Sequence, residues 1–266
     1  MIVAVIPYFE TPSIGPIQPW GFFVASGVLF GVWLATKRSR EQGLDPQELG
    51  NLATWILLPA FVGARLMHVF GYHWTYYQQH MSEIWRLWEG GMSSYGGFLG
   101  AGIGGVTYLV RSKNDFWHYA DVASYGFIPG WTIGRIGCFA IHDHPGRISD
   151  FFLAAEMKVL PLGQMHYVIQ ARHELGLYDG LLSGLIWLGF WLSDRRPRFH
   201  GFFLGWMCVA YALPRFFLDY LRATDLSMAD TRYAGLTPAQ YGSIILLLLG
   251  GWILWTRRMT TSPTAV

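Results

Sequence analysis

The chain has 266 residues, 52% of them hydrophobic, 17% aromatic and only 14% charged, with a formal net charge of +2. Soluble domains carry about 25% charged residues, so this composition excludes a disordered chain, a basic nucleic-acid-binding domain and a disulfide-stapled secreted domain. It leaves a polytopic membrane protein or an unusually apolar soluble one.

In chain order, the stretch from Met1 to Trp20 has no basic segment and carries Pro7, Pro12, Pro16 and Pro19, so it does not read as a cleavable signal peptide. Seven apolar stretches follow that suit membrane-spanning helices: Trp20–Thr36, Leu49–Phe70, Tyr95–Val110, Phe116–Ile141, Tyr178–Leu192, Gly201–Leu221 and Pro238–Trp255. The predicted fold is therefore an all-α polytopic membrane protein. No repeat or Ser/Gly linker divides it, so 1–266 reads as a single domain. Lys37, Arg38 and Arg40 follow the first span, and Arg111 and Lys113 the third. Arg195, Arg196 and Arg198 follow the fifth, and Arg257 and Arg258 the seventh. Basic residues mark cytoplasmic ends, which puts the N-terminus outside and the C-terminus in the cytoplasm. The longer connections Gly71–Ser94, His142–Leu177 and Arg222–Thr237 then lie outside, and Trp74, Trp85 and Trp88 suit an interfacial loop. Cys138 and Cys208 sit in apolar runs as small hydrophobes.

Arg65, Arg135 and Arg215 interrupt the second, fourth and sixth spans. A charge at mid-bilayer costs at least about 2.5–3.5 kcal/mol, so such residues are functional candidates by default. Counted from the cytoplasmic ends, Arg65 and Arg215 stand roughly 20 Å up and Arg135 nearly 30 Å up, all in the outer half. Guanidiniums gathered there suit a phospholipid phosphate. The competing readings are pairing with acids, as Arg215 with Asp219 one turn on, or snorkelling to the headgroups.

The fourth span ends in Gly134-Arg135-Ile136-Gly137-Cys138-Phe139 and runs into His142-Asp143-His144-Pro145-Gly146. Pro145 should stop the helix. Histidines and a carboxylate at an interface can move protons near neutral pH, bind a metal, or simply form a polar loop. The residues alone leave all three open.

The Gly134–Phe139 block followed by Gly146 resembles the signature of the prolipoprotein diacylglyceryl transferase family. Further blocks agree in order. They are Ser13-Ile14-Gly15-Pro16 with Trp20-Gly21, Trp33-Leu34-Ala35-Thr36, Gly63-Ala64-Arg65, and Trp88-Glu89-Gly90-Gly91-Met92-Ser93 with Gly96-Gly97. Arg172-His173 with Leu177-Tyr178-Asp179 and the set Tyr211, Arg215, Asp219 and Arg222 complete the series. The resemblance implies an enzyme that moves the diacylglyceryl group of phosphatidylglycerol onto the lipobox cysteine of a prolipoprotein signal peptide. It implies release of glycerol phosphate, a site open to the outer leaflet of the bacterial inner membrane, contact with membrane lipid, and no metal, cofactor or nucleic acid. The chain departs from the pattern at Tyr95, where the family has His, at Cys138 for Asn, at Asp143 for Glu, and at Glu174, where a Pro is usual.

On this reading Arg135 and Arg215 take the headgroup phosphate, with Arg65 and Arg222 as further substrate-binding residues. Asp143, His142 or His144 deprotonates the thiol in place of the missing His. Tyr95 and Tyr211 line the site, and Gly96, Gly97 and Gly146 let lipid or peptide approach. The alternatives are an inactive lipid- or lipoprotein-binding homologue, or a metal-dependent membrane hydrolase built on His142, His144, His166 and His173. A transporter is disfavoured, because no inverted repeat is visible.

Overall fold

The structure is a computed structural model that describes residues 5–13, 15, 18–86, 90–227 and 229–260. Ile14, Pro16, Trp88 and Glu89 of the sequence blocks above lie outside the described residues. The protein is mostly helical. Its long helices are α1 (Pro19–Glu41), α2 (Pro46–Leu66), α4 (Ser94–Arg111), α5 (Phe116–Ile141), α6 (Leu175–Ser193), α7 (Phe202–Leu218) and α8 (Pro238–Thr260), with α3 (Trp74–Tyr77) a single turn. All seven expected apolar stretches are helical. Among the described residues, five segments are long and apolar enough to cross a membrane: Pro19–Glu41, Pro46–Tyr72, Leu175–Ser193, Phe202–Leu221 and Pro238–Thr260.

The connection between α5 and α6 is not the loop expected from the sequence. It holds a three-stranded antiparallel sheet of order β1-β3-β2, with β1 at Pro145–Ile148, β2 at Ala154–Val159 and β3 at Val168–Glu174. The β2–β3 register pairs Ala155 with Arg172, Met157 with Gln170 and Val159 with Val168. One face of the sheet buries Ala155, Met157 and Val159 against Ala223 and Leu226, with Ile6 and Val168 packed on the same cluster. The alternation of buried and open positions along β2 is that of a sheet with one covered face.

The chain forms two compact units, Met1–Leu34 with Ser124–Val266, and Ala35–Ala123. In the first, α1 crosses α5 in backbone contact. A Cβ on Gly27 would stand 2.3 Å from the Gly130 carbonyl oxygen, and one on Gly31 2.7 Å from that of Gly126. Small residues at such crossings let helices approach closely where lipid offers no hydrophobic drive. α6 meets α5 in the same way: a Cβ on Gly176 would stand 3.0 Å from Phe139 N, and one on Gly180 3.4 Å from Arg135 Cβ. Asp179 is thereby carried against Arg135. Below this crossing Tyr125, Ile128, Ile186, Phe190 and Phe203 form a buried cluster.

In the second unit α2 opens on Pro46 with Asp45 as its cap, the carboxylate accepting from Gln47 N at 2.8 Å. α4 packs on α2 through Gly96, whose Cβ would lie 2.1 Å from the Gly63 carbonyl oxygen. Ser93 caps α4 and donates its N–H to the Ala64 carbonyl at 3.0 Å.

Candidate active site

The first unit holds a continuous charged cluster. Arg135, 9% exposed in the last turns of α5, is its centre. Its Nε lies 2.8 Å from Asp179 Oδ2, and its guanidinium stacks over the Trp131 ring at 4.5 Å. Asp179, buried in the second turn of α6, also accepts from the Tyr211 hydroxyl at 3.0 Å and has Arg215 Nε at 4.0 Å. Its second oxygen, Oδ1, is buried with no hydrogen-bond partner. Arg215 donates to Asp219 Oδ1 at 2.8 Å, so the intrahelical pair weighed from the sequence does form. Asp219 is fully buried; Thr237 donates its hydroxyl to it, and Arg222 Nε approaches at 3.2 Å. Arg222 Nη1 reaches Asp230 at 2.6 Å. Three guanidiniums and three carboxylates thus alternate, which is how buried charges remain affordable in a low-dielectric setting.

The rim of the cluster is a histidine–aspartate dyad. Asp143 accepts from His144 Nδ1, which leaves Nε2 as the acceptor nitrogen. That nitrogen sits 3.1 Å from Arg135 Nη1, and the same Nη1 lies 3.6 Å from Cys138 Sγ. The His144 and Asp143 side chains are 23% and 31% exposed, so the dyad opens outward while the arginines are enclosed.

His142 is turned elsewhere. It adopts a φ of +52°, which reverses the chain after α5, and its Nδ1 meets Glu174 Oε2 at 3.0 Å. The ring is buried between Phe9, centroid 4.5 Å away, and Phe139. Glu174 caps α6 through Gly176 N. Burial pushes the Glu174 carboxyl above the usual carboxylate range, and the His142 imidazole pulls it part of the way back.

Arg65, in the second unit, does not present a free guanidinium. Nε donates to the Ile84 carbonyl at 2.7 Å, Nη2 to Glu83 at 2.5 Å, and Nη1 to Gly90 and Gly91 at 2.7 and 3.1 Å. It staples the connection before α4, a role its depth in the span did not indicate. Tyr95, Gly96 and Gly97 belong to the same unit, at the start of α4. Tyr95 is 37% exposed, and Gly96 sits in the α2–α4 crossing against the Gly63 carbonyl oxygen. Gly146 is likewise closed in: its Cβ would stand 2.6 Å from His173 Cβ and 2.8 Å from the Leu221 carbonyl oxygen.

Arg135, Arg215, Tyr211, Arg222, Asp143 and His144 therefore come together, and His142 stands beside them on its own partner. Sequence reasoning missed two acids of this constellation, Asp179 and Glu174. Asp179 carried a usable signal, a carboxylate within an apolar stretch. The four histidines considered for a metal hydrolase do not converge. His142 bonds Glu174, His173 bonds the Tyr178 hydroxyl at 3.0 Å, and no ligand group among the described residues contains two of the four.

These features define a multi-pass membrane protein with a buried arginine–carboxylate cluster and a histidine–aspartate pair at its edge. A family model described as prolipoprotein diacylglyceryl transferase matches residues 9–256. The chain is 33% identical over 244 residues to a phosphatidylglycerol–prolipoprotein diacylglyceryl transferase of Geobacillus kaustophilus, covering 89% of this chain and 87% of that one. It is 29% identical over 243 residues to the protein of that name in Thermosynechococcus vestitus, with the same coverage of each chain. To the one in Nitratidesulfovibrio vulgaris it is 30% identical over 251 residues, covering 92% of both. The chain belongs to the prolipoprotein diacylglyceryl transferase family.

Proposed function

We propose that this protein transfers the diacylglyceryl group of phosphatidylglycerol to the lipobox cysteine of prolipoproteins. On this reading the whole chain acts as one transferase domain in the bacterial inner membrane, with its site toward the outer leaflet. The observation that carries it is the Arg135–Asp179–Arg215 cluster with the Asp143–His144 dyad at its edge.

The chemistry asks for two things. A thiol must lose its proton, since the thiolate is the nucleophile. A phosphate must leave, and its negative charge grows as the glyceryl C–O bond breaks. Arg135 and Arg215 answer the second need. Asp179 balances their charge, and a headgroup phosphate would share their donors. A fixed guanidinium interacts most strongly as charge develops on the leaving oxygen, which is the kind of binding that lowers a barrier. His144 answers the first need. Its Nδ1–H is held by Asp143, so Nε2 takes the thiol proton. The sulfur then attacks the glyceryl carbon, a thioether forms, and glycerol phosphate leaves with the bonding electrons. Tyr211 orients Asp179, and Arg222 fixes Asp219 behind Arg215. His142 and Glu174 hold the end of α5 to the start of α6. Arg65 holds Glu83, Ile84, Gly90 and Gly91 by their carbonyl oxygens rather than touching the headgroup, and Tyr95 lines the surface of its own unit.

Expression in a strain depleted of its own transferase tests the reading. Restored growth with mature lipoprotein is expected, whereas accumulating precursor would mark an inactive homologue. Reporter fusions after Arg40, Lys113, Arg198 and Arg258 are expected to report cytoplasm; a signal from the other side at any of them would overturn the orientation.

A further inference from the structure

We infer that Cys138, Asp143 and His144 form a binding site for a borderline-soft divalent cation, Zn2+ being the type case, and that its occupancy shuts down transfer. One donor atom from each residue lies within 4.8 Å of the other two. Thiolate sulfur, imidazole nitrogen and carboxylate oxygen are the zinc donor set, with metal–donor distances of about 2.0–2.3 Å. The donors of a filled tetrahedral site are therefore spaced more closely than this limit, and a modest closure of the 143–144 turn brings them in. The backbone is already built for that approach. The left-handed φ of His142 folds the chain back over the end of α5, and Asp143 N comes within 3.4 Å of the Cys138 carbonyl oxygen.

A second observation points to a cation at the same spot. Arg135 Nη1 touches both His144 Nε2 at 3.1 Å and Cys138 Sγ at 3.6 Å. One positively charged N–H group therefore rests where lone pairs from the two residues converge, and a metal ion would replace one cation by another. A displaced Arg135 N–H has an acceptor nearby, because Asp179, whose Oδ2 is 2.8 Å from Arg135 Nε, keeps its buried Oδ1 without a hydrogen-bond partner. Charge is also balanced. On binding, the Cys138 thiol gives its proton to solvent, and thiolate plus carboxylate neutralise the dication. The partial exposure of Asp143 and His144 leaves a route in and a fourth position for water. Mg2+ and Ca2+ prefer all-oxygen shells and are not expected to compete.

Occupancy would tie up His144 and pull Arg135 off its mark, so the metal acts as an inhibitor and not as a cofactor. This inhibitory part rests on the proposed transfer reaction; the binding itself does not. The test uses the purified full chain in detergent with Co2+ as the spectroscopic probe. A single equivalent of Co2+ is expected to give a thiolate-to-metal charge-transfer band that Zn2+ removes, and the band is expected to be lost in Cys138→Ala. In a parallel transfer assay Zn2+ is expected to abolish wild-type activity, with recovery on adding EDTA. Mg2+ is expected to leave activity unchanged, and whatever transfer Cys138→Ala retains is expected to be insensitive to Zn2+. Absence of the band in folded wild-type protein overturns the proposal. So does a band that persists in Cys138→Ala, since Cys208 is the other cysteine of the chain. A wild-type band with transfer unaffected by Zn2+ overturns the inhibitory part. A proper band in a protein that transfers nothing upholds the metal site and refutes the transferase reading instead.

Discussion

Replacing Arg135 by Ala separates its electrostatic task from its structural one. The side chain is nine-tenths buried and holds Asp179 at 2.8 Å. Removing one partner of a buried ion pair costs about 3–5 kcal/mol, because the other charge is left uncompensated. Tyr211 at 3.0 Å and Arg215 at 4.0 Å still face Asp179, so the expected loss of stability is at the low end, about 3 kcal/mol. Deleting Asp179 as well removes the stranded charge, and Arg135→Ala/Asp179→Ala is expected to regain part of that loss. Transfer should behave differently. A preorganised donor aimed at developing charge is worth about 10²–10³ in kcat, or roughly 3–4 kcal/mol. The single and double variants should therefore be equally inactive, and Arg135→Lys should recover little, since a point charge cannot reproduce the guanidinium fork. The assay pairs thermal melting in detergent with transfer of labelled diacylglyceryl to a lipobox peptide. A folded Ala variant that keeps more than about a tenth of wild-type kcat/KM would sink the argument. Activity that returns together with stability in the double variant would show Arg135 to be a packing residue only.

Three further outcomes follow from the same geometry. His144→Gln is expected to lower kcat by about 10²-fold with little change in KM, while His142→Gln, which loses the Glu174 contact and the ring packing against Phe9 and Phe139, should lower the melting temperature more than the rate; steady-state kinetics beside melting curves distinguish them. Gly146→Ala forces a Cβ to within 2.8 Å of the Leu221 carbonyl oxygen and should destabilise by about 1–3 kcal/mol, seen as a lower Tm. Arg172 donates to both oxygens of Asp225, and these bonds hold its carboxyl below the usual carboxylate range. A depressed native pKa contributes stability above the unfolded value, and that contribution is lost as pH falls through the native one. Asp225→Asn should accordingly melt lower than wild type at pH 7, with the two curves converging below about pH 4; a gap that persists in acid would mean the pair contributes through packing alone.

The helices were legible because a span of about 20 apolar residues is a local property, readable one stretch at a time. The same holds for Arg135 and Arg215: a guanidinium inside such a stretch is costly wherever the helix goes, so it stands out before any contact is known. What they contact was not legible. Asp179 is 44 residues from Arg135 in sequence, and the glycine crossing of α5 and α6 brings the two together. Arg65 interrupts an apolar stretch as the other two do, yet the chain returns 18 to 26 residues later and covers it with carbonyl oxygens. The sheet between α5 and α6 was missed because its strands are short and mixed in polarity; β2 runs Ala-Ala-Glu-Met-Lys-Val, and only pairing with β3 makes that alternation meaningful. His142 and His144 read as equivalent neighbours of Asp143. A single left-handed residue sends one ring inward to Glu174 and leaves the other at the mouth of the arginine site, and no pattern in the sequence announces that backbone choice for a residue with a side chain. Residue types and helix lengths are set locally and survive reading in one dimension; partners, occupancy and direction are set by chain segments far apart, and only the folded arrangement decides them.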